Sequence, residues 1–110
     1  MKYIPESGDI VWLDFDPSAG TEIIKRRPAL VLSRKIFNSH TGFAMVAPIT
    51  STKRDNKFTI LIPQNDKING YILCYQARTL DFKARNVSKI TDLDVNITNK
   101  VQDIVKLILS

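Results

Sequence analysis

From Ile10 to Phe15 the chain reads I-V-W-L-D-F, with Gly8 before it and Pro17, Ser18, Ala19 and Gly20 after it. A β-branched and aromatic run between turn formers predicts a strand leading into a loop. Pro28 opens the next run, A-L-V-L-S, whose nearly continuous apolar character predicts a strand buried on both faces. Proline at a strand's first residue is tolerated, because a missing N–H does least damage there. Asn38–Gly42 (N-S-H-T-G) predicts a turn, Phe43–Ile49 a strand, and the polar, basic stretch Thr50–Asn56 a loop. Lys57–Pro63 alternates polar and apolar, as a half-exposed strand does. Gln64–Gly70 predicts a second turn, Tyr71–Thr79 one strand, Leu80–Arg85 a short turn, and Asn86–Ile90 renewed extended chain. The period then changes. Val101, Ile104, Val105 and Ile108 recur at helical spacing and predict an amphipathic terminal helix with Thr98 as its N-cap. Five or more short strands and one helix predict an α+β, mainly β chain built as a small barrel.

At 110 residues, 44% hydrophobic and 25% charged, the chain has the size and composition of one folded domain, expected over residues 1–110. Sixteen Lys and Arg residues against eleven Asp and Glu leave a net charge of +5. That excess draws a small domain to polyanions, whether nucleic acid, anionic membrane or acidic protein, although charge of this size also serves plain solubility. Cys74 is the lone cysteine, so no internal disulfide and no cysteine-based zinc site are expected. His40 is the lone histidine and no carboxylates cluster at ligand spacing, so neither metal nor cofactor is expected. The opening M-K-Y-I-P-E-S-G-D has no signal-peptide core, and no apolar run approaches the ~20 residues of a membrane span. The expectation is a cytoplasmic protein with no membrane partner.

Four segments carry a resemblance. They are G-D-I-V-W-L-D-F-D-P-S-A-G-T-E (residues 8–22), R-R-P-A-L-V-L-S (26–33), P-I-T-S (48–51), and a stretch from Gly70 through Gln76, Ala77 and Arg78 to L-D-F-K-A-R (80–85). In order, spacing and total length the chain resembles the MazF/PemK (Kid-like) toxins of type II toxin–antitoxin systems. The resemblance implies an SH3-like barrel of five to seven strands with a C-terminal helix. It implies a homodimer and an acidic, partly disordered antitoxin as partner. It also implies sequence-selective cleavage of single-stranded RNA, in which the ribose 2′-OH attacks to leave a cyclic phosphate and a 5′-OH.

That reaction needs a base for the 2′-OH, stabilisation of the charged phosphorane, and a proton for the leaving 5′-oxygen. Arg27 matches the family's catalytic arginine, and its planar fork suits two phosphate oxygens; a guanidinium hardly deprotonates, so its first role is charge stabilisation. Thr50, in P-I-T-S, offers a hydroxyl, although strand-end threonines more often make local turn bonds. Glu22 is the third candidate, as proton acceptor or as a partner orienting Arg27, against the bland reading of a loop carboxylate. Lys25, Arg26, Ser51, Lys53 and Arg54 are expected to contact RNA around this centre, with Gln76, Arg78 and Arg85 reading bases or supporting the cleft. Trp12 and Phe15 offer base stacking, yet aromatics within a strand are more often core. His40 matches no family site.

Two departures stand out. Where Kid-like relatives carry a catalytic Arg and Asp, this chain has Leu73, Cys74 and Tyr75. The loop before Arg27 carries Ile23 and Ile24 where a glycine is common among relatives. Three rival functions are compatible with the same barrel: a gyrase-poisoning toxin, a degenerate barrel that binds RNA without cutting it, and an interaction module whose basic face serves only an acidic partner. Fold alone favours none of them.

Overall fold

The first strand, β1 (Asp9–Asp14), pairs antiparallel with β2 (Arg26–Val31), and β2 pairs in turn with β3 (Phe43–Thr50). A computed structural model describes residues 2–15, 25–54 and 56–110. Among these, β3 takes two partners along its other edge: β6 (Arg78–Asp81) beside Phe43–Val46, and β5 (Tyr71–Leu73) beside Ile49 and Thr50. β4 (Thr59–Leu61) extends β5, and β7 (Ser88–Asp92) extends β1. The result is a seven-stranded antiparallel sheet in the order β4-β5-β3-β2-β1-β7, with β6 on β3. It agrees with the expected mainly-β architecture, as a curled sheet open at β4 and β7.

Two prolines shape the central strands. Leu32 donates its N–H to Met45 at 2.8 Å. By the alternation of antiparallel ladders, Leu30 and Pro28 face β3 in the same sense. Pro28 has no N–H to continue the ladder, and pairing between β2 and β3 ends at Ala29↔Pro48. Pro28 is therefore the third residue of its strand and not the first, as expected from sequence; its missing donor faces only β3. Pro48 falls where the other edge of β3 passes from β6 to β5, so its missing N–H interrupts neither ladder.

Burial follows the alternation of each strand. Val11, Leu13, Phe15, Ala29, Val31, Ala44, Val46, Leu80 and Phe82 fill one face of the sheet. Ile10, Leu30, Ala47, Ile49 and Ile72 fill the other, beneath α2 (Val95–Leu109). Val101 is the fully buried residue of that helix, flanked by Ile97, Ile104 and Val105; each such side chain contributes about 1.5–3 kcal/mol on burial. Gln102 locks the helix by donating from Nε2 to the Leu32 carbonyl at 2.9 Å.

Three local expectations are corrected. The N-cap of α2 is Asp94, whose carboxylate accepts the Asn96 N–H at 2.7 Å. Thr98 lies inside the helix, buried. The turn expected at Asn38–Gly42 is the end of α1 (Lys35–Thr41), closed by Gly42 at φ 75°, whose N–H reaches the Asn38 carbonyl. Buried Asn38 anchors it by donating to the Pro5 carbonyl at 2.8 Å. Finally, the single strand expected over Tyr71–Thr79 is broken by a 3-10 turn, Cys74–Gln76, which carries the chain from β5 to β6.

Candidate functional site

Arg27 pairs with Leu13 across β1 and lies on the face that carries Ala29 and Val31. Thr50 closes β3 on the face that carries Val46. Alternation from the last ladder pair, Ala29↔Pro48, therefore puts Arg27 and Thr50 on one face of the sheet, both beyond the end of β2–β3 pairing. The Pro28 break falls between the strands at this point. Thr50 is only 5% exposed, and its hydroxyl accepts the Thr52 N–H at 3.2 Å, which leaves the hydroxyl proton to donate. The local turn bond expected of a strand-end threonine is thus present, and it orients the side chain.

Arg78 joins the same face, since it pairs with Val46. Its guanidinium lies over the Phe15 ring, 5.9 Å from the centroid. Phe15 is fully buried and belongs to the core, while Trp12 on the opposite face is 40% exposed. Phe15 follows β1 and Arg78 opens β6, so this contact brings the end of β1 against the start of β6, with Arg27 on the same face.

The remaining candidates divide. Arg26 turns to the face opposite Arg27, where Nη1 meets Asp14 Oδ1 at 3.1 Å and Nη2 reaches the Ser88 hydroxyl at 3.2 Å. Arg85 Nη1 donates to the Asp14 carbonyl at 3.3 Å, and its own carbonyl accepts the Asp14 N–H at 2.9 Å. Asn86 Nδ2 adds a 2.7 Å bond to the Asp14 carboxylate. Asp14 is thus a clasp between the ends of three segments, and the bonds from Asn86 and then Arg26 hold its carboxyl below the usual aspartate range. Lys25, at φ 68°, accepts the Phe15 N–H through its carbonyl and exposes its side chain. Ser51 and Lys53 are exposed and Arg54 half-buried on the loop after Thr50; Gln76 is half-buried in the 3-10 turn. Glu22, Ile23 and Ile24 lie outside the described residues.

At the departure from Kid-like relatives, Leu73 and Cys74 are buried and Tyr75 is exposed. Burial pushes the Cys74 thiol up to about 11, so it is a poor nucleophile. His40 is an exposed residue in the last turn of α1. Among the described residues, no three His, Cys, Asp or Glu side chains gather as a metal-ligand set.

Sequence reasoning passed over Asp14, which reads as one more polar residue of a strand; its bonds to residues far along the chain leave no local signal. The arrangement as a whole offers a guanidinium, an oriented hydroxyl and a further cation on one face of the sheet, a set that suits a phosphodiester.

Comparison with known proteins agrees with this chemistry. Residues 6–109 match the family described as PemK-like, MazF-like toxin of type II toxin–antitoxin system. The endoribonuclease toxin MazF of Escherichia coli K12 is 33% identical over 88 residues, which cover 80% of this chain and 78% of that protein. The crystal structure of MazF from Deinococcus radiodurans superposes with a TM-score of 0.93 at 32% identity, covering 98% of each chain. A MazE–MazF structure from the same organism gives 0.86 at 28% identity, covering 99% of this chain and 98% of that one. The chain belongs to the PemK-like, MazF-like toxin family of type II toxin–antitoxin systems.

Proposed function

We propose that this toxin is an endoribonuclease that cuts single-stranded RNA without a metal or cofactor. The carrying observation is that Arg27 and Thr50 share one face at the point where β2 and β3 part. Relatives named as endoribonucleases support the same reading. In the proposed reaction the ribose 2′-oxygen attacks the adjacent phosphorus, the P–O5′ bond breaks, and a 2′,3′-cyclic phosphate and a 5′-OH result. Arg27 neutralises the charge that grows on the equatorial oxygens, and the Thr50 hydroxyl donates to one of them. Glu22 is assigned the 2′-OH proton, or the task of orienting Arg27 while solvent water takes that proton; a proton from solvent water reaches the departing 5′-oxygen as the P–O5′ bond breaks. Lys25, Ser51, Lys53, Arg54, Gln76, Arg78 and Arg85 contribute contacts to the strand, whereas Arg26 serves chiefly the Asp14 clasp. Phosphate contacts of this kind weaken with salt.

The finer reading extends to the setting. The whole chain acts as one domain in the cytoplasm, restrained by an acidic antitoxin that competes for the basic face. Among the described residues no helix is long and apolar enough to cross a membrane. Leu107 and Leu109 at the end of α2 are 65% and 77% exposed, an apolar surface that suits a homodimer.

The deciding experiment incubates purified protein with unstructured oligoribonucleotides in EDTA, beside a gyrase supercoiling assay. Fragments bearing 5′-OH ends are expected, and 2′-deoxy substitution at the cut should block cleavage. Intact RNA would overturn the proposal; protection without cutting would indicate a binding barrel, and inhibited gyrase the rival toxin. Light scattering of the same sample at micromolar concentration should report a dimer, and a monomer alone would refute that part.

A further inference from the structure

Gly70 precedes β5 at φ +132°, a conformation that L side chains rarely adopt. Its carbonyl accepts the Ile62 N–H at 2.9 Å, and the next residue, Tyr71, pairs with Thr50. A Cβ added at Gly70 would lie 2.5 Å from the Thr50 carbonyl oxygen, 3.1 Å from the Thr50 carbonyl carbon and 3.3 Å from Ile49 Cγ2. The two nearest atoms belong to the main chain and have no rotamer by which to escape. Thr50 itself is pinned by strand pairing to Tyr71 and by the bond from Thr52 N–H to its hydroxyl. Gly70 is likewise held, by the Ile62 N–H on its carbonyl, so relief is shared with the end of β3 and reaches the hydroxyl that lies on the face of Arg27.

Gly42 provides the contrast. It too has positive φ, at 75°, but a Cβ there meets nothing within 4 Å. Backbone strain is thus common to both glycines, and the clash with a site residue is confined to Gly70.

We infer that Gly70 is a positioning residue for Thr50: its lack of a side chain lets β5 close on the Thr50 carbonyl and fixes where the hydroxyl stands. The inference rests on the ribonuclease reading of the site. A displacement of about one ångström at a reacting group costs on the order of 10²-fold in rate. Gly70→Ala is accordingly expected to lower kcat on that scale and leave KM little changed. Gly42→Ala should lower the melting temperature while kcat stays as in the original.

The test is a double-mutant cycle in single-turnover cleavage, with Gly70→Ala measured alone and on a Thr50→Ala background. Strong non-additivity is expected, since a misplaced hydroxyl costs nothing once the hydroxyl is gone. If the unmodified protein leaves RNA intact, the ribonuclease reading fails and takes the inference with it. If it cleaves, and Gly70→Ala cleaves equally fast or its loss adds in full to that of Thr50→Ala, this inference alone is overturned. Should Gly70→Ala fail to fold, a full-length protein with D-alanine at position 70, assembled by ligation at Cys74, decides. D-alanine accepts positive φ and carries its methyl on the other side of Cα. Unchanged kcat supports the inference, and a folded protein with reduced kcat overturns it.

Discussion

Arg26 and Arg27 are adjacent in sequence and leave β2 in opposite directions. Arg26 meets Asp14 at 3.1 Å on one face, and Arg27 takes the face of Ala29 and Val31. A pleated strand imposes this on any two neighbours, and here it separates the clasp from the proposed site. The pair R-R, read in sequence as one basic patch, is divided between two faces of the sheet, one holding the Asp14 clasp and the other the proposed site.

Arg27→Ala should therefore lower kcat by about 10²–10³-fold, the usual loss when one preorganised donor to a developing oxyanion is removed. Arg26→Ala breaks an exposed pair that solvent screens, so it should change stability little. Its cleavage rate should stay near that of the original. Parallel single-turnover assays check the contrast, and equal losses at the two positions would contradict the assignment of Arg27 to the proposed site.

The Asp14 clasp predicts a pH response. The Asn86 amide and the Arg26 guanidinium favour the ionised carboxyl in the folded state, so its pKa is lowered on folding. The stabilisation this provides is present above the ordinary aspartate value of about 4 and is lost as pH falls through the lower folded value. A carboxyl NMR titration should place Asp14 below an ordinary aspartate. Asn86→Ala should raise it more than Arg26→Ala does; the reverse order would show that charge outweighs the amide bond.

Capping gives a third expectation. Asp94→Ala removes the acceptor for the Asn96 N–H and should cost about 1 kcal/mol, a fall of about 4 °C or somewhat more in Tm. Thr98→Val should cost less, because the Thr98 hydroxyl reaches the Asp94 carbonyl only at 3.5 Å. Thermal melts of the two variants settle which residue starts the helix.

How much of this was legible beforehand follows from where each signal lies. β1, β2 and β3 declared themselves because their apolar runs are long and their burial is shared by two faces. α1 did not: Ile36 and Phe37 are exposed, so its one or two turns show no buried stripe, and what holds the helix is Asn38 reaching back to Pro5. The start of α2 was misread by one turn because Val95 is 66% exposed and breaks the apolar period. Tyr71–Thr79 read as one strand because periodicity does not reveal a change of register along β3. At the proposed site, Arg27 and Thr50 were singled out through family resemblance. Their shared face, the Asp14 clasp and the approach of Gly70 depend on contacts between segments far apart in sequence, which no local pattern encodes.

Pro28 carries a consequence beyond its own strand. Were an amide hydrogen present there, the ladder between β2 and β3 could continue toward Ile49, along the stretch that carries Arg27 and Thr50. A single missing donor thus ends the β2–β3 ladder beside the two residues proposed to meet the phosphodiester, so a side chain chosen for its backbone chemistry bounds the proposed site.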